Sequence, residues 1–209
     1  MKGIKNVVID LGGVMIDLDR DRCVRAFERL GLKGVDRMLG LYRQEEPFLS
    51  VETGRIPVSE FYDGLRSMTG RDVSDRDFEL AFEEFLVALP VERLAALRAM
   101  RARGLRLYMI SNTNSVMYDG WIKRAFMQEG MRVGDYFDGI VTSFAEGVCK
   151  PDPRLFETVL RRYGLEAAES LLLDDSEANC EAARRLGMEA IRIEGGRTLL
   201  NVVENEFCR

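Results

Sequence analysis

Asp10 closes a short β-branched run, Val7-Val8-Ile9, and is followed at once by Leu11, Gly12 and Gly13. Such a run reads as a fully buried strand. Glycines lack a Cβ, so backbone groups there can approach a ligand closely. A buried parallel strand that delivers one acid into a glycine turn is how an open α/β sheet presents chemistry at its carboxyl edge. A strand end with a solvated turn aspartate fits the same residues.

Three more stretches carry reactive types. Ile110-Ser111-Asn112-Thr113-Asn114 places a hydroxyl and a turn after an apolar run. It reads either as a helix cap or as a set of donors for an anion. Lys150-Pro151-Asp152-Pro153 sets a lysine before a stiff segment and a helix start. That lysine is either a surface residue or a partner for a phosphate. Asp174-Asp175 follows the apolar Leu171-Leu172-Leu173. Adjacent carboxylates beside a buried strand are costly unless paired or metal-bound. A solvated turn pair is the alternative, and Mg²⁺, which takes oxygen ligands, is the metal such a pair suits.

One absence narrows the chemistry. The chain has no histidine. Ser-His-Asp and Cys-His nucleophiles and HExxH zinc sites are excluded. Catalysis has to run on carboxylates, lysine, hydroxyls and a hard metal ion. A net charge of −5 with no basic run argues against a nucleic-acid partner. No apolar stretch approaches the roughly 18 residues of a membrane span. The N-terminus lacks a signal-peptide pattern. The four cysteines, Cys23, Cys149, Cys180 and Cys208, form no CxxC pair. A cytoplasmic setting is therefore expected. Oligomeric state is not legible.

These stretches need elements to position them. The 209 residues, 46% hydrophobic and 31% charged, suffice for one α/β domain with an insertion. From about residue 18 to 89 the pattern is helical, with no convincing strand. Val24, Phe27 and Leu30 recur at helical spacing before Gly31. Ser59 reads as an N-cap for a helix over Phe61, Tyr62, Leu65 and Met68. Phe78, Ala81, Phe82, Phe85 and Leu86 make the clearest amphipathic stripe. From Pro90 onward, helix and strand alternate as in βαβ units. Strands are expected over Leu105–Ile110, Gly139–Thr142, Ser170–Leu173 and Met188–Ile193. The expected fold class is α/β, a Rossmann-like parallel sheet with an inserted all-helical cap. The core is drawn from 1–17 and 90–209, and the cap from 18–89.

In order and strand context, the four stretches resemble the motifs of the haloacid dehalogenase-like superfamily, over nearly the whole chain. The resemblance implies that Asp10 is the nucleophile, that Ser111 and Asn112 bind phosphate, and that Lys150 binds phosphate and supports catalysis. It implies Mg²⁺ as cofactor, held by Asp10, the Gly12 carbonyl, Asp174 and Asp175. The helical insertion resembles the family's type 1 cap. The wording Asp10-Leu11-Gly12-Gly13-Val14 and Ser111-Asn112-Thr113-Asn114 further resembles bacterial phosphatases acting on α-D-glucose 1-phosphate.

The implied activity is a Mg²⁺-dependent phosphatase of small phosphorylated metabolites, with sugar 1-phosphates favoured, working through an aspartyl-phosphate. Two other readings stand beside it. One is a 2-haloacid dehalogenase, which Asp174-Asp175 disfavours because halide displacement needs no metal. The other is a non-catalytic phosphoester binder. That reading arises because Gly12 stands where most phosphatases of the superfamily carry an acid/base aspartate. Glu45, Glu46 and Phe48, with Arg43, are candidate cap contacts to substrate. Tyr118 and Trp121 either line the site or pack the core.

Overall fold

The computed structural model describes residues 3–194 and 198–207. Cys208 therefore lies outside the described residues. Among these residues the strands are β1 (Asn6–Ile9), β2 (Asp17–Leu18), β3 (Leu86–Ala88), β4 (Arg106–Ser111), β5 (Gly139–Thr142), β6 (Ser170–Asp174) and β7 (Glu189–Arg192). Five of them form a sheet in the order β5-β4-β1-β6-β7, with every pairing parallel. β1 is central, so the chain winds outward first to one edge and then to the other. The strand order reverses beside β1, and that switch point is where open α/β sheets bind ligands.

Both faces of the sheet are buried, and alternation along the strands assigns side chains to each. Val7, Ile9, Leu107, Met109, Leu171 and Leu173 join one apolar cluster. Val8, Tyr108, Ile110 and Leu172 join the other. Helices Val91–Ala102 and Leu199–Phe207 contribute to the first face, and Pro153–Tyr163 and Glu177–Arg185 to the second. Helix Pro153–Tyr163 starts as expected, with Asp152 accepting from Arg154 N and proline at its first turn. The sheet's first face is completed by the terminal helix Leu199–Phe207. It packs on Val91–Ala102 through Leu199, Val202 and Val203.

The insertion carries helices Arg20–Arg29, Val58–Thr69 and Asp75–Glu83 with shorter turns between them. Its sequence reading needs two corrections. The last amphipathic helix ends at Glu83, and Phe85 and Leu86 leave it. Leu86 instead begins β3, which pairs antiparallel with β2. A two-stranded ribbon thus carries the chain into and out of the insertion. Apolar residues at these positions satisfy a helical stripe and a short strand equally well, which is why periodicity misjudged them. Ser59 also lies one residue inside its helix, which begins at Val58 after Pro57.

The insertion has an aromatic interior. The Phe27 ring meets Phe48 at 5.2 Å and Phe82 at 5.0 Å edge-on, and stacks on Phe78 at 6.4 Å. Phe27→Ala removes the ring at the centre of this cluster. It is expected to cost about 3–5 kcal/mol, read as a lowered urea midpoint, and a drop below 1 kcal/mol would contradict this packing.

Candidate active site

Register alone brings the acids together. Ile9 pairs with Met109 on one side and Leu173 on the other. The next residues along, Asp10, Ile110 and Asp174, therefore stand at one level of the sheet's carboxyl edge. Lys150 reaches in from the loop before helix Pro153–Tyr163. Its Nζ lies 2.8 Å from Asp10 Oδ2 and 2.7 Å from Asp174 Oδ2, and 3.4 Å from the Ile110 carbonyl. The lysine is 3% exposed, so this is a buried ion cluster and not a surface pair.

The supporting bonds are specific. Asn112 Oδ1 accepts from Lys150 N at 2.8 Å, and Asn112 Nδ2 donates to Lys150 O at 3.0 Å. This two-point clamp fixes the lysine backbone against the end of β4. Asp174 accepts from Ser176 N and from Asn179 Nδ2, each at 2.9 Å. Asp10 Oδ1 accepts from Leu11 N at 2.6 Å. Thr113 N donates to Ser143 Oγ, whose hydroxyl donates back to Thr113 O, both at 2.9 Å. Asn114 caps the following turn by accepting from Met117 N. The helix cap that the sequence left open at Ser111 thus belongs to Asn114. The Ser111 hydroxyl makes only a 3.4 Å contact to Asn112 O and lines the cavity.

The turn after Asp10 depends on glycine. Gly13 has φ 71°, and a Cβ there would overlap the Asp175 carboxylate. Gly12 faces Leu18, whose Cδ1 would lie 2.9 Å from a Cβ at that position. The tip of the Leu18 side chain therefore lies against position 12.

The charge arrangement calls for a cation. Asp10, Asp174 and Asp175 each offer an oxygen, all within 4.8 Å of one another. Burial pushes the Asp10 carboxyl up to about 8, against the pull of Lys150. Burial also raises Asp175, with the Asp174 charge adding to it. Burial alone would lower Lys150, but Asp10 and Asp174 outweigh it and hold the ammonium above its usual range. Asp10 and Asp174 hold the Lys150 ammonium between them, and the half-buried Asp175 adds a third carboxyl beside the pair. Such a set of hard oxygen donors fits Mg²⁺.

A cavity of about 90 Å³ lies over these groups. Asp10, Gly12, Ser111, Asn112, Lys150 and Asp175 line its floor, and Asp174 sits behind it, orienting Lys150. Of the expected cap contacts, Phe48 lines the cavity. Glu45 and Glu46 do not. The first lies near Arg43 at 3.9 Å, and the second binds Arg55 at 2.6 Å and Ser50, all on exposed side chains. Tyr118 packs on Phe144 and Trp121 against the larger apolar cluster. Sequence reasoning missed Gln44, Glu52 and Asn179, which do line the cavity. Asn179 stands four residues after Asp175, in the first turn of helix Glu177–Arg185, where a polar residue beside the acidic pair was the available signal. Gln44 and Glu52 had no such signal.

A parallel sheet whose switch point presents a carboxylate, a buried lysine and an acidic pair defines a phosphoryl-transfer hydrolase that works without histidine. The chain belongs to the haloacid dehalogenase-like hydrolases, whose family model matches residues 4–187. It is 32% identical over 205 residues to a D-ribitol-5-phosphate phosphatase of Bacteroides thetaiotaomicron, covering 97% of this chain and 99% of the relative. It is also similar to a variant of a haloacid dehalogenase family enzyme from that organism, solved with magnesium and inorganic phosphate. That likeness has TM-score 0.89 and 34% identity, over 99% of this chain and 100% of the other. A predicted hydrolase of this family from Porphyromonas gingivalis matches with TM-score 0.89 and 28% identity, over 99% of each chain. The protein is a phosphatase of this family, and its carboxylate cluster offers the oxygen donors that magnesium takes. No helix among the described residues is long and apolar enough to cross a membrane.

Proposed function

We propose that the protein hydrolyses small sugar or polyol phosphates through an aspartyl-phosphate on Asp10, with sugar 1-phosphates preferred over 6-phosphates. The observation that carries this reading is the Asp10 carboxylate held 2.8 Å from Lys150 Nζ at the floor of the cavity. In this reading an Asp10 oxygen attacks phosphorus as the ester bond breaks. Lys150, the Ser111 hydroxyl and the Asn112 backbone N–H bind the phosphoryl oxygens. The Asn112 side chain acts differently, holding Lys150 in place. Asp10, the Gly12 carbonyl and Asp175 would hold a Mg²⁺, with Asp174 behind them. The ion would supply charge neutralisation between the carboxylates and the phosphoryl group. Water then attacks the phosphorus and frees Asp10. Residues 18–89 serve as the cap, and the β2–β3 ribbon is its hinge, placing Phe48, Gln44 and Glu52 over the substrate.

The preference among substrates follows from Gly12. The side chain at that position gives a basic alkoxide leaving group no proton, so an anomeric oxygen, which carries charge more easily, is favoured to the extent that protonation from the cap is incomplete. The relative that is named for ribitol 5-phosphate favours a second reading, a primary polyol phosphate. Comparing kcat/KM for glucose 1-phosphate, glucose 6-phosphate and ribitol 5-phosphate separates them. The expected order puts glucose 1-phosphate above glucose 6-phosphate, with all turnover lost on chelation and restored by Mg²⁺. A larger value for ribitol 5-phosphate than for glucose 1-phosphate selects the second reading. No turnover of any phosphomonoester overturns both.

A further inference from the structure

Glu52 is a buried carboxyl over the cavity to which the reaction above gives no chemical role. It sits at the end of the short helix Phe48–Glu52 in the insertion and is 8% exposed. Among the described residues no cation forms an ion pair with it, and the nearby Lys150 charge offsets its burial only in part. Its oxygens are held by the Cys149 thiol at 3.4 Å and by the Gln44 side chain. Glu46, six residues earlier, shows what a structural carboxylate of the same segment looks like, exposed and paired with Arg55. A buried, unpaired carboxyl is costly to fold around and needs a reason. Burial pushes Glu52 up to about 7, so it holds a proton through much of the neutral range.

Its position supplies the reason. Glu52 lines the same cavity as Asp10, Asn112 and Lys150, approaching from the cap side. Cys149 is the neighbour of Lys150 in sequence, so the Glu52–Cys149 contact also joins the insertion to the phosphate-binding loop. Position 12, a glycine, offers no proton, and the tip of Leu18 lies against it.

Building on the phosphatase reading, we propose that Glu52 is the acid and base of this enzyme, delivered by the cap in place of a side chain at position 12. In the first step Asp10 bonds to phosphorus, the P–O ester bond breaks, and the Glu52 proton passes to the leaving oxygen to give the alcohol. In the second step the Glu52 carboxylate takes a proton from the water that attacks phosphorus. The P–O bond to Asp10 breaks, releasing inorganic phosphate and restoring both carboxyl groups. A proton donor of this kind matters in proportion to the basicity of the leaving group.

The test is a leaving-group series on wild type, Glu52→Gln and Glu52→Asp with Mg²⁺, using p-nitrophenyl phosphate, phenyl phosphate, ribitol 5-phosphate and glucose 6-phosphate. Glu52→Gln keeps the shape and loses the transferable proton. It is expected to lower kcat/KM on the alkyl esters by about 10²–10³-fold, and on p-nitrophenyl phosphate by less than about fivefold. The dependence on leaving-group pKa then steepens. Glu52→Asp is expected to recover part of the loss on the alkyl esters. An equal loss on all four substrates marks Glu52 as structural and overturns the proposal, as does no loss at all. A wild type that turns over none of the four defeats the phosphatase reading itself, and this proposal with it.

Discussion

Asp10→Asn is expected to abolish turnover while leaving a folded protein. The substitution keeps the side-chain shape and removes the nucleophilic charge. Loss of a covalent nucleophile costs about 10⁴-fold in kcat or more, measured as phosphate release from a purified sample. Residual activity within about tenfold of wild type rules out an aspartyl-phosphate at this position. Stability moves the other way. Burial raises the Asp10 carboxyl from 3.8 to about 8. A raised carboxyl contributes its full stability below the unfolded value and loses it as pH climbs through the folded one. In metal-free protein the Asp10 charge therefore opposes folding at high pH, and asparagine escapes that penalty. The Tm of the variant, measured with chelator, is expected to approach that of wild type near pH 4 and exceed it at pH 8. Lys150 keeps a carboxylate partner in this variant, since Asp174 Oδ2 remains 2.7 Å away.

Lys150→Met has the opposite signature, with loss of both activity and stability. Methionine fills the same buried channel without a charge. Asp10 and Asp174 then face each other with no cation between them. Removing one partner of a buried ion cluster costs about 3–5 kcal/mol, read as a fall in urea midpoint without metal. Turnover falls by at least about 10²-fold, because the phosphoryl oxygens lose a preorganised cation. Lys150→Arg is not expected to rescue it, since a planar fork cannot occupy the point between Asp10 Oδ2 and Asp174 Oδ2. The double variant Asp10→Asn, Lys150→Met tests the coupling. It is expected to be more stable than Lys150→Met alone, because only Asp174 is left unpaired, and Asp174 still accepts from Ser176 N and Asn179 Nδ2. A double-variant stability change equal to the sum of the two single changes would show that the two groups do not share one electrostatic cluster.

The sequence by itself determined the strands of the sheet and the residues at their ends. A fully buried parallel strand leaves a continuous apolar run, and a carboxylate at its end breaks that run visibly, so Asp10 and the Asp174-Asp175 pair could be read directly. The missing histidine excluded whole classes of mechanism before any fold was known. Short apolar stretches were harder. Phe85 and Leu86 extend a helical stripe on paper, yet the chain leaves the helix after Glu83 to build the β2–β3 ribbon. Only pairing with Asp17 and Leu18, far away in sequence, decided that. The role of Asn112 was likewise settled in space. Its residue type allows contact with an anion, but its side chain is spent on the Lys150 backbone. The cap residues show the limit most clearly. Glu45, Glu46 and Glu52 are chemically almost alike, and no spacing rule separates them. Glu52 faces the cavity while Glu45 and Glu46 face solvent, because an irregular segment has no period from which a direction could be read. Orientation there is set by packing of Phe48 and Val51 into the aromatic interior, and that is a property of the folded chain alone.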